Sequence, residues 1–190
     1  MDLPKTTALD LAPPEPLPDD VAALFEKCQE KLGLIPNVLV AYAHRPEKLA
    51  AFGAMYNDLM LGESGLSKLE REMIAVVVSA ENRCWYCLVA HGAAVRELSG
   101  DPGLGEAIAF NWRFADLTPR QRAMLDFATK MCRASAEIGE ADRGGLRDHG
   151  LTEADIWDLV AVAGFFAMSN RMASAVGMEP NPDYHARGRG

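Results

Sequence analysis

The sequence predicts an all-α fold, and three features carry that prediction. Helix-start signals recur: SKLE at 67 to 70 and TPRQ at 118 to 121 both match the capping box, in which a hydroxyl accepts from a free backbone N–H and an acid or amide three residues on reaches back. Between such signals the apolar residues return at helical spacing, as in Leu69, Met73, Ile74, Val77 and Val78, and again in Met124, Leu125, Ala128 and Met131. No segment reads convincingly as a strand. AVVVS at 75 to 79 is β-branched enough to suit one, but a capping box lies upstream and no turn pair flanks it, so a buried helix is expected there.

In chain order, helices are expected near 19–32, 46–61, 67–81, 84–98, 102–111, 118–137, 140–148 and 152–177. The first is amphipathic and carries Cys28. The second follows AHRPEK, where His44 reads as a loop or cap residue before Pro46. The third starts at the Ser67 box, and a short turn at ENR separates it from the fourth, which begins around Cys84. Asp101 with Pro102 starts the fifth. Thr118 with Pro119 at the first helical position starts the sixth, which holds Cys132. His149 and Gly150 close the seventh, where a cation suits the helix dipole. Thr152 with Asp155 opens the last, which is long and apolar and carries Asn170 and Arg171 near its end, as candidates for an interface.

The chain therefore divides into an extended N-terminal arm over 1–18, a helical domain over 19–178 and a C-terminal tail over 179–190. The tail, with Pro180, Pro182, two glycines and His185 in EPNPDYHARGRG, is expected to be extended or mobile unless it docks on a neighbour. Laying Leu66 on Leu117 brings LSKLEREMIA onto LTPRQRAMLD with both caps in step. Glu72, Cys84, Cys87 and His91 then fall on Ala123, Ser135, Ile138 and Asp142, so a true repeat keeps its chemistry in the first copy alone. Two ordinary amphipathic helices with similar caps are the other explanation.

A length of 190 residues with 49% hydrophobic content suits one domain with a substantial core. The net charge of −8 and pI near 5.0, without clustered Lys and Arg among aromatics, argue against a nucleic-acid partner. The start, MDLPKTTALDLAPPEPLPDD, lacks the basic head and apolar run of a signal peptide, and the longest apolar stretch, DLVAVAGFFAM at 158 to 168, is too short to span a bilayer. A cytoplasmic location without membrane association is expected. In that reducing compartment four cysteines do not form a disulfide framework, and a close pair is catalytic or metal-binding.

That pair lies in SAENRCWYCLVAHG, residues 79 to 92. In a helix starting near Cys84, Cys87 and His91 are one turn apart on one face, so the imidazole can take a thiol proton directly or through one water. The helix N-terminus favours a thiolate on either sulfur. A histidine base works better when an acceptor holds its second nitrogen. Glu72, on the preceding helix among mostly apolar neighbours, is the candidate: a tight turn at ENR can fold it back opposite His91. Trp85 and Tyr86 are expected to pack over the dithiol and shield it from water, with Tyr86 also able to hydrogen-bond near a substrate. The remaining readings are buried inert thiols with a satisfied histidine, and zinc, for which Cys28, Cys132 and the other histidines offer no second close pair. Cys28 and Cys132 themselves read as structural.

The joint spacing of Glu72, Cys84, Cys87 and His91 resembles the core signature of the alkylhydroperoxidase D family, within the carboxymuconolactone decarboxylase-like superfamily. Beyond it, GLIPN at 33 to 37, NWRFADLTPRQRAMLDFATKM and SNRMASAVGMEPNPDYH are similar to the branch called uncharacterized peroxidase-related proteins. The resemblance implies an all-helical, homo-oligomeric fold of helical hairpins with the C-x-x-C at a helix start. It implies a thiol peroxidase with no metal or organic cofactor, a hydroperoxide substrate and a dithiol reductant as partner. Cys87, activated by His91 and Glu72, would attack the peroxide, and Cys84 would resolve the sulfenic acid to a Cys84–Cys87 disulfide. The family has a histidine immediately before the second cysteine; this chain has Tyr86, so any relay role of that histidine does not transfer. Two alternatives remain open: lactone or other acid–base chemistry by His91 and Glu72 without the thiols, and a non-catalytic oligomeric module whose dithiol senses oxidation.

Overall fold

The computed structural model describes residues 3–189. Its helices are α1 (Asp19–Leu32), α2 (Asn37–Tyr42), α3 (Pro46–Leu61), α4 (Lys68–Glu81), α5 (Trp85–Ser99), α6 (Leu104–Asn111), α7 (Pro119–Ala134), α8 (Glu140–Asp148) and α9 (Glu153–Ala175), with no strand among the described residues. The fold is all-α, as expected from the caps and the apolar spacing.

The capping boxes at Ser67, Thr118 and Thr152 are all formed, each side chain accepting from the N3 backbone while the N3 side chain returns to the cap. They start α4, α7 and α9, three helices that pack on one another at the centre of the molecule. α4 is the innermost: every residue from Glu70 to Ser79 is buried. Val76, Val77 and Val78 contribute about 1.5 to 3 kcal/mol each by their burial. The β-branched run that could have been a strand is thus the axis of a helical core, where burial on every side removes the alternation a half-exposed strand would need. Arg71, also buried, is accommodated because its Nη1 donates to the Leu59 and Gly62 carbonyls at the end of α3, at 3.1 and 2.9 Å.

One helix, and three boundaries by two residues or more, differ from the sequence expectation. α2 was not anticipated, since six residues are too few to display a 3.6-residue period. The fifth expected helix starts two residues late, because the Asp101 carboxylate accepts from the Gly103 N–H at 2.8 Å and makes a turn of Pro102 and Gly103. The sixth ends at Ala134 in a 3-10 turn over Ser135–Glu137. The last ends at Ala175, where Gly177 with a φ of 62° closes the helix and a Cβ would stand 3.1 Å from Ala8 of the passing arm.

Arm and tail both dock on the helices. The Ala8 N–H meets the Val176 carbonyl at 2.8 Å and the Glu179 N–H meets Thr6 at 3.1 Å. The tail forms a 3-10 turn over Pro182–His185, and the buried Arg96 of α5 donates to the carbonyls of Tyr184 and Arg187, both at 2.8 Å. Three carbonyl-directed and amide-directed bonds tie α2 to the tail: Asn37 N–H to Asn181 Oδ1 at 2.7 Å, Asn37 Nδ2 to the Glu179 carbonyl at 2.8 Å, and Asn181 Nδ2 to the Ile35 carbonyl at 2.9 Å. α2 and the tail thereby form a cover over the N-terminal end of α5.

The overlay of residues 66 and 117 holds for the two caps and fails at the turn that follows. Ser135 opens a 3-10 turn where Cys84 caps a helix, and Asp142 serves the N-terminus of α8 and binds Lys130.

Candidate functional site

The dithiol lies where α4 turns into α5, and the backbone of that turn positions it. The Arg83 N–H bonds the Ala80 carbonyl at 3.1 Å and the Cys84 N–H bonds the Ser79 carbonyl at 3.0 Å, the pair of bonds that closes a helix around a left-handed residue. That residue is usually glycine; here Arg83 adopts it, with a φ of 53°. The same motif closes α9 at Gly177. The reversal delivers Cys84 to the N-cap of α5, where its Sγ accepts the backbone N–H of Cys87 at 3.4 Å, the place a serine hydroxyl takes in an ordinary cap. The Cys84 and Cys87 sulfurs are 2.8 Å apart, and both thiols are free.

One turn further along α5, His91 Nδ1 lies 2.6 Å from Oε2 of Glu72 on α4. Their side chains are 12% and 10% exposed. Phe166 of α9 sets its ring edge-on to the imidazole with centroids 4.5 Å apart, which fixes the ring plane. With Nδ1 engaged, Nε2 is the nitrogen left to exchange a proton. The α4–α5 hairpin therefore brings together Glu72, Cys84, Cys87 and His91.

Two sulfurs this close do not ionise independently. The hydrogen bond from Cys87 favours a charge on Cys84, whose pKa is lowered from 9.0 to about 7 against the opposing effect of burial; the Cys87 N–H, the Ser174 hydroxyl and His91 add to the lowering. Cys87 is pushed well above its ordinary value, by its bond to Cys84 first, then by burial and the Cys84 charge. The pair thus loses one proton near neutrality and holds the second between the sulfurs. The resting charge falls on Cys84, whereas the family resemblance assigns attack to Cys87.

The surroundings correct two sequence expectations. Trp85 does not shield the dithiol: it is 58% exposed, because the first residue of α5 is rotated about a third of a turn from Cys84 and faces outward. Tyr86 is buried, and its hydroxyl accepts from the Val38 N–H of α2 at 3.3 Å, so it joins α5 to the cover. Asn170 does not face an interface. It is wholly buried, donating from Nδ2 to Ser79 Oγ at 3.0 Å and accepting at Oδ1 from Asn82 at 3.2 Å. Arg171 beside it is exposed.

Sequence reasoning also missed the tyrosines. All four in the chain stand around this centre. Burial raises each phenol, Tyr184 to about 12, and negative charge at Cys87 adds to the rise of Tyr42 and Tyr86 while charge at Glu72 adds to that of Tyr56 and Tyr184. They come from α2, α3, α5 and the tail, and no local spacing links them. Among the described residues no group of three or more His, Cys, Asp and Glu is placed to hold a metal ion, and no helix is long and apolar enough to cross a membrane.

Fold and site together define a class: an all-helical protein whose C-x-x-C caps one helix and whose Glu–His pair joins that helix to the one before it. The chain belongs to the carboxymuconolactone decarboxylase family, whose model matches residues 46–130, and is alkylhydroperoxidase D-like within it. It is similar to the crystal structure of an uncharacterized peroxidase-related protein from Silicibacter sp. TM1040, at 66% identity over 100% of both chains with a TM-score of 0.96. It is likewise similar to an alkylhydroperoxidase AhpD core, an uncharacterized peroxidase-related protein from Ralstonia eutropha JMP134, at 46% identity over 99% of each chain with a TM-score of 0.94. The debrominase Bmp8 shares the fold at 18% identity, over 96% of this chain and 97% of its own, with a TM-score of 0.78. Among curated proteins none matches the chain.

Proposed function

We propose that the protein is a dithiol peroxidase that reduces hydroperoxides through a Cys84–Cys87 disulfide cycle. The observation that carries this reading is the helix-capping dithiol, with sulfurs 2.8 Å apart, beside the paired Glu72 and His91. His91, held by Glu72, takes the first proton of the thiol pair, and the proton left between the sulfurs moves to Cys84 so that Cys87 carries the charge. The Cys87 thiolate attacks the terminal oxygen of the hydroperoxide: an S–O bond forms, the O–O bond breaks, and the alkoxide leaves with the proton from His91 as an alcohol. Cys84 then attacks the sulfenic sulfur; the S–S bond forms, the S–O bond breaks, and hydroxide leaves with the Cys84 proton as water. A dithiol reductant restores the pair by exchange and is itself oxidised to a disulfide.

The reading includes self-assembly in the cytoplasm. Phe110 and Phe114, each 87% exposed, and Trp157, 75% exposed, supply apolar surface for contact between copies.

The test is intact-mass and free-thiol analysis before and after one equivalent of an alkyl hydroperoxide, with Cys84→Ser and Cys87→Ser alongside. The expected result is a loss of two hydrogens in the wild type and a trapped sulfenic acid at Cys87 in Cys84→Ser. A Cys87→Ser protein with full peroxidase turnover would refute the reading, and thiols that stay free during turnover of a lactone would assign the site to acid–base chemistry by His91 and Glu72.

A further inference from the structure

The disulfide cycle needs a dithiol reductant, and the surface beside the sulfurs limits what that reductant can be. Cys84 and Cys87 are each 1% exposed, walled in by Val38 and Ala41 of α2, Ala173 of α9, Val176 just past its end and Met178 of the tail. The turn that delivers Cys84 is the open side of this cluster. The residues before and after that buried cysteine, Arg83 and Trp85, are both exposed, and Trp85 has 58% of its surface in water. A partner that covers the indole gains by removing a large apolar side chain from water, and it then holds its own thiol nearest to Cys84.

Charge gives that partner its sign. Side-chain bonds join the turn to α7 and α9: Arg133 donates to the Glu81 carboxylate at 2.6 and 2.7 Å, and Asn82 Nδ2 donates to Asn170 Oδ1 at 3.2 Å, which sets Arg171 beside the turn. Glu81 is thereby engaged by Arg133. Arg83 and Arg171, both exposed, pair with no carboxylate among the described residues. A chain of net charge −8 thus presents two unneutralised guanidinium groups at the end where its dithiol comes nearest to an exposed aromatic. Such a local field attracts an acidic partner and turns away a basic one.

We propose that Trp85, Arg83 and Arg171 form the docking surface for the reductant of this dithiol, a protein that carries its own thiol pair among acidic side chains. This partner completes the dithiol cycle proposed above, on which its assignment rests. Its first thiol gives its proton to His91 and attacks Cys84; the Cys84–Cys87 bond breaks, and Cys87 leaves with that proton. Its second thiol attacks the sulfur joined to Cys84, the mixed disulfide breaks, and the reductant departs as a disulfide with one proton released. Cys84, the sulfur that holds charge near neutrality, is the leaving group of that last step.

The test is made with two synthetic peptides that carry Cys-Gly-Pro-Cys, one flanked on both sides by glutamates and the other by lysines. The protein is first oxidised to the Cys84–Cys87 disulfide with diamide, and its reduction by each peptide is followed by intact mass. Every rate is divided by the peptide's rate with 2-hydroxyethyl disulfide, which corrects for thiol acidity, and by the same protein's rate with dithiothreitol, which corrects for any change in the disulfide. The acidic peptide should reduce the wild type about tenfold faster than the basic one at low salt, with the ratio falling toward unity in about 0.5 M NaCl. Arg83→Glu with Arg171→Glu should abolish or invert the preference, and Trp85→Ala should slow the acidic peptide several-fold. Equal rates for the two peptides, a faster basic peptide, or a preference that survives both charge reversals would overturn the proposal. Because diamide makes the disulfide, a protein inert toward hydroperoxides would still show the preference, so this surface and the peroxidase reading fail separately.

Discussion

Glu72 and His91 are joined by a hydrogen bond between Oε2 and Nδ1 at 2.6 Å, which links the innermost helix of the fold to the helix bearing the dithiol. An acid nineteen residues upstream thus sets the tautomer of the base, and α4 and α5 cannot separate without breaking it.

Removing the base should therefore act on rate and stability together. His91→Ala is expected to lower hydroperoxide turnover about a hundredfold, the usual reach of general acid–base catalysis, and to destabilise the fold by about 1 to 3 kcal/mol because Glu72 is left buried without a partner. Glu72→Gln keeps a hydrogen-bonding group of the same shape and should cost about tenfold in rate with less effect on melting. Steady-state kinetics with thermal unfolding of both variants checks this; a Glu72→Gln enzyme as impaired as His91→Ala would show that the carboxylate does more than orient.

The thiol pair predicts a signed pH dependence. Cys84 is depressed in the folded state to about 7 from a value of 9.0, so its stabilising contribution is present above pH 9 and is lost as pH falls through 7. Cys87 has the opposite sign: raised in the folded state, it stabilises below pH 9 and loses that contribution only at higher pH. Between pH 7 and 9 Cys84 governs, and the stability advantage of reduced wild type over Cys84→Ser should grow with pH across that window. Chemical denaturation at three pH values in the presence of reductant measures it, and an advantage that shrinks with pH would reverse the assignment.

Asn181 holds the cover shut. Asn181→Ala removes the acceptor of the buried Asn37 N–H and the donor to Ile35, at an expected loss of about 1 to 3 kcal/mol. Because α2 and Tyr86 lie over the dithiol, amide exchange at Val38 and disulfide-reagent access to Cys84 and Cys87 should both rise several-fold, while Cys132, on α7, keeps its rate. Exchange mass spectrometry with thiol labelling would detect this, and unchanged labelling would mean that reagents reach the dithiol by another route.

Arg83→Gly should stabilise the protein by about 1 kcal/mol, since a side chain in the left-handed region costs that much and the position makes the same closing bonds as Gly177. Denaturant unfolding checks it. A loss of stability would show that the arginine side chain makes contacts that outweigh its backbone strain.

The capping boxes, the stripe along α4 and the spacing of the two cysteines and His91 are local patterns, and they were legible because local hydrogen bonds and side-chain direction repeat with the helical period. Glu72 was legible only as far as a tight turn allowed it to face His91. Its pairing required Arg83 to take the left-handed conformation, which nothing about an arginine announces. Trp85 was misread for a related reason: a hydrophobic residue between two cysteines suggests shielding, but its direction is set by where α5 begins.

By itself, then, the sequence determined that the chain is helical, where most helices start, and which thiols and which base share a face, since those follow from interactions within a turn or two. Tertiary structure alone decided the rest. It brought four tyrosines from three helices and a tail around the dithiol and Glu72, aimed the amide of Asn170 through Asn82 and Ser79, and laid α2 over the sulfurs, because contacts such as Val38 with Tyr86 and Asn37 with Asn181, 48 and 144 positions apart, depend on packing and on buried polar groups finding partners, which no short-range pattern encodes.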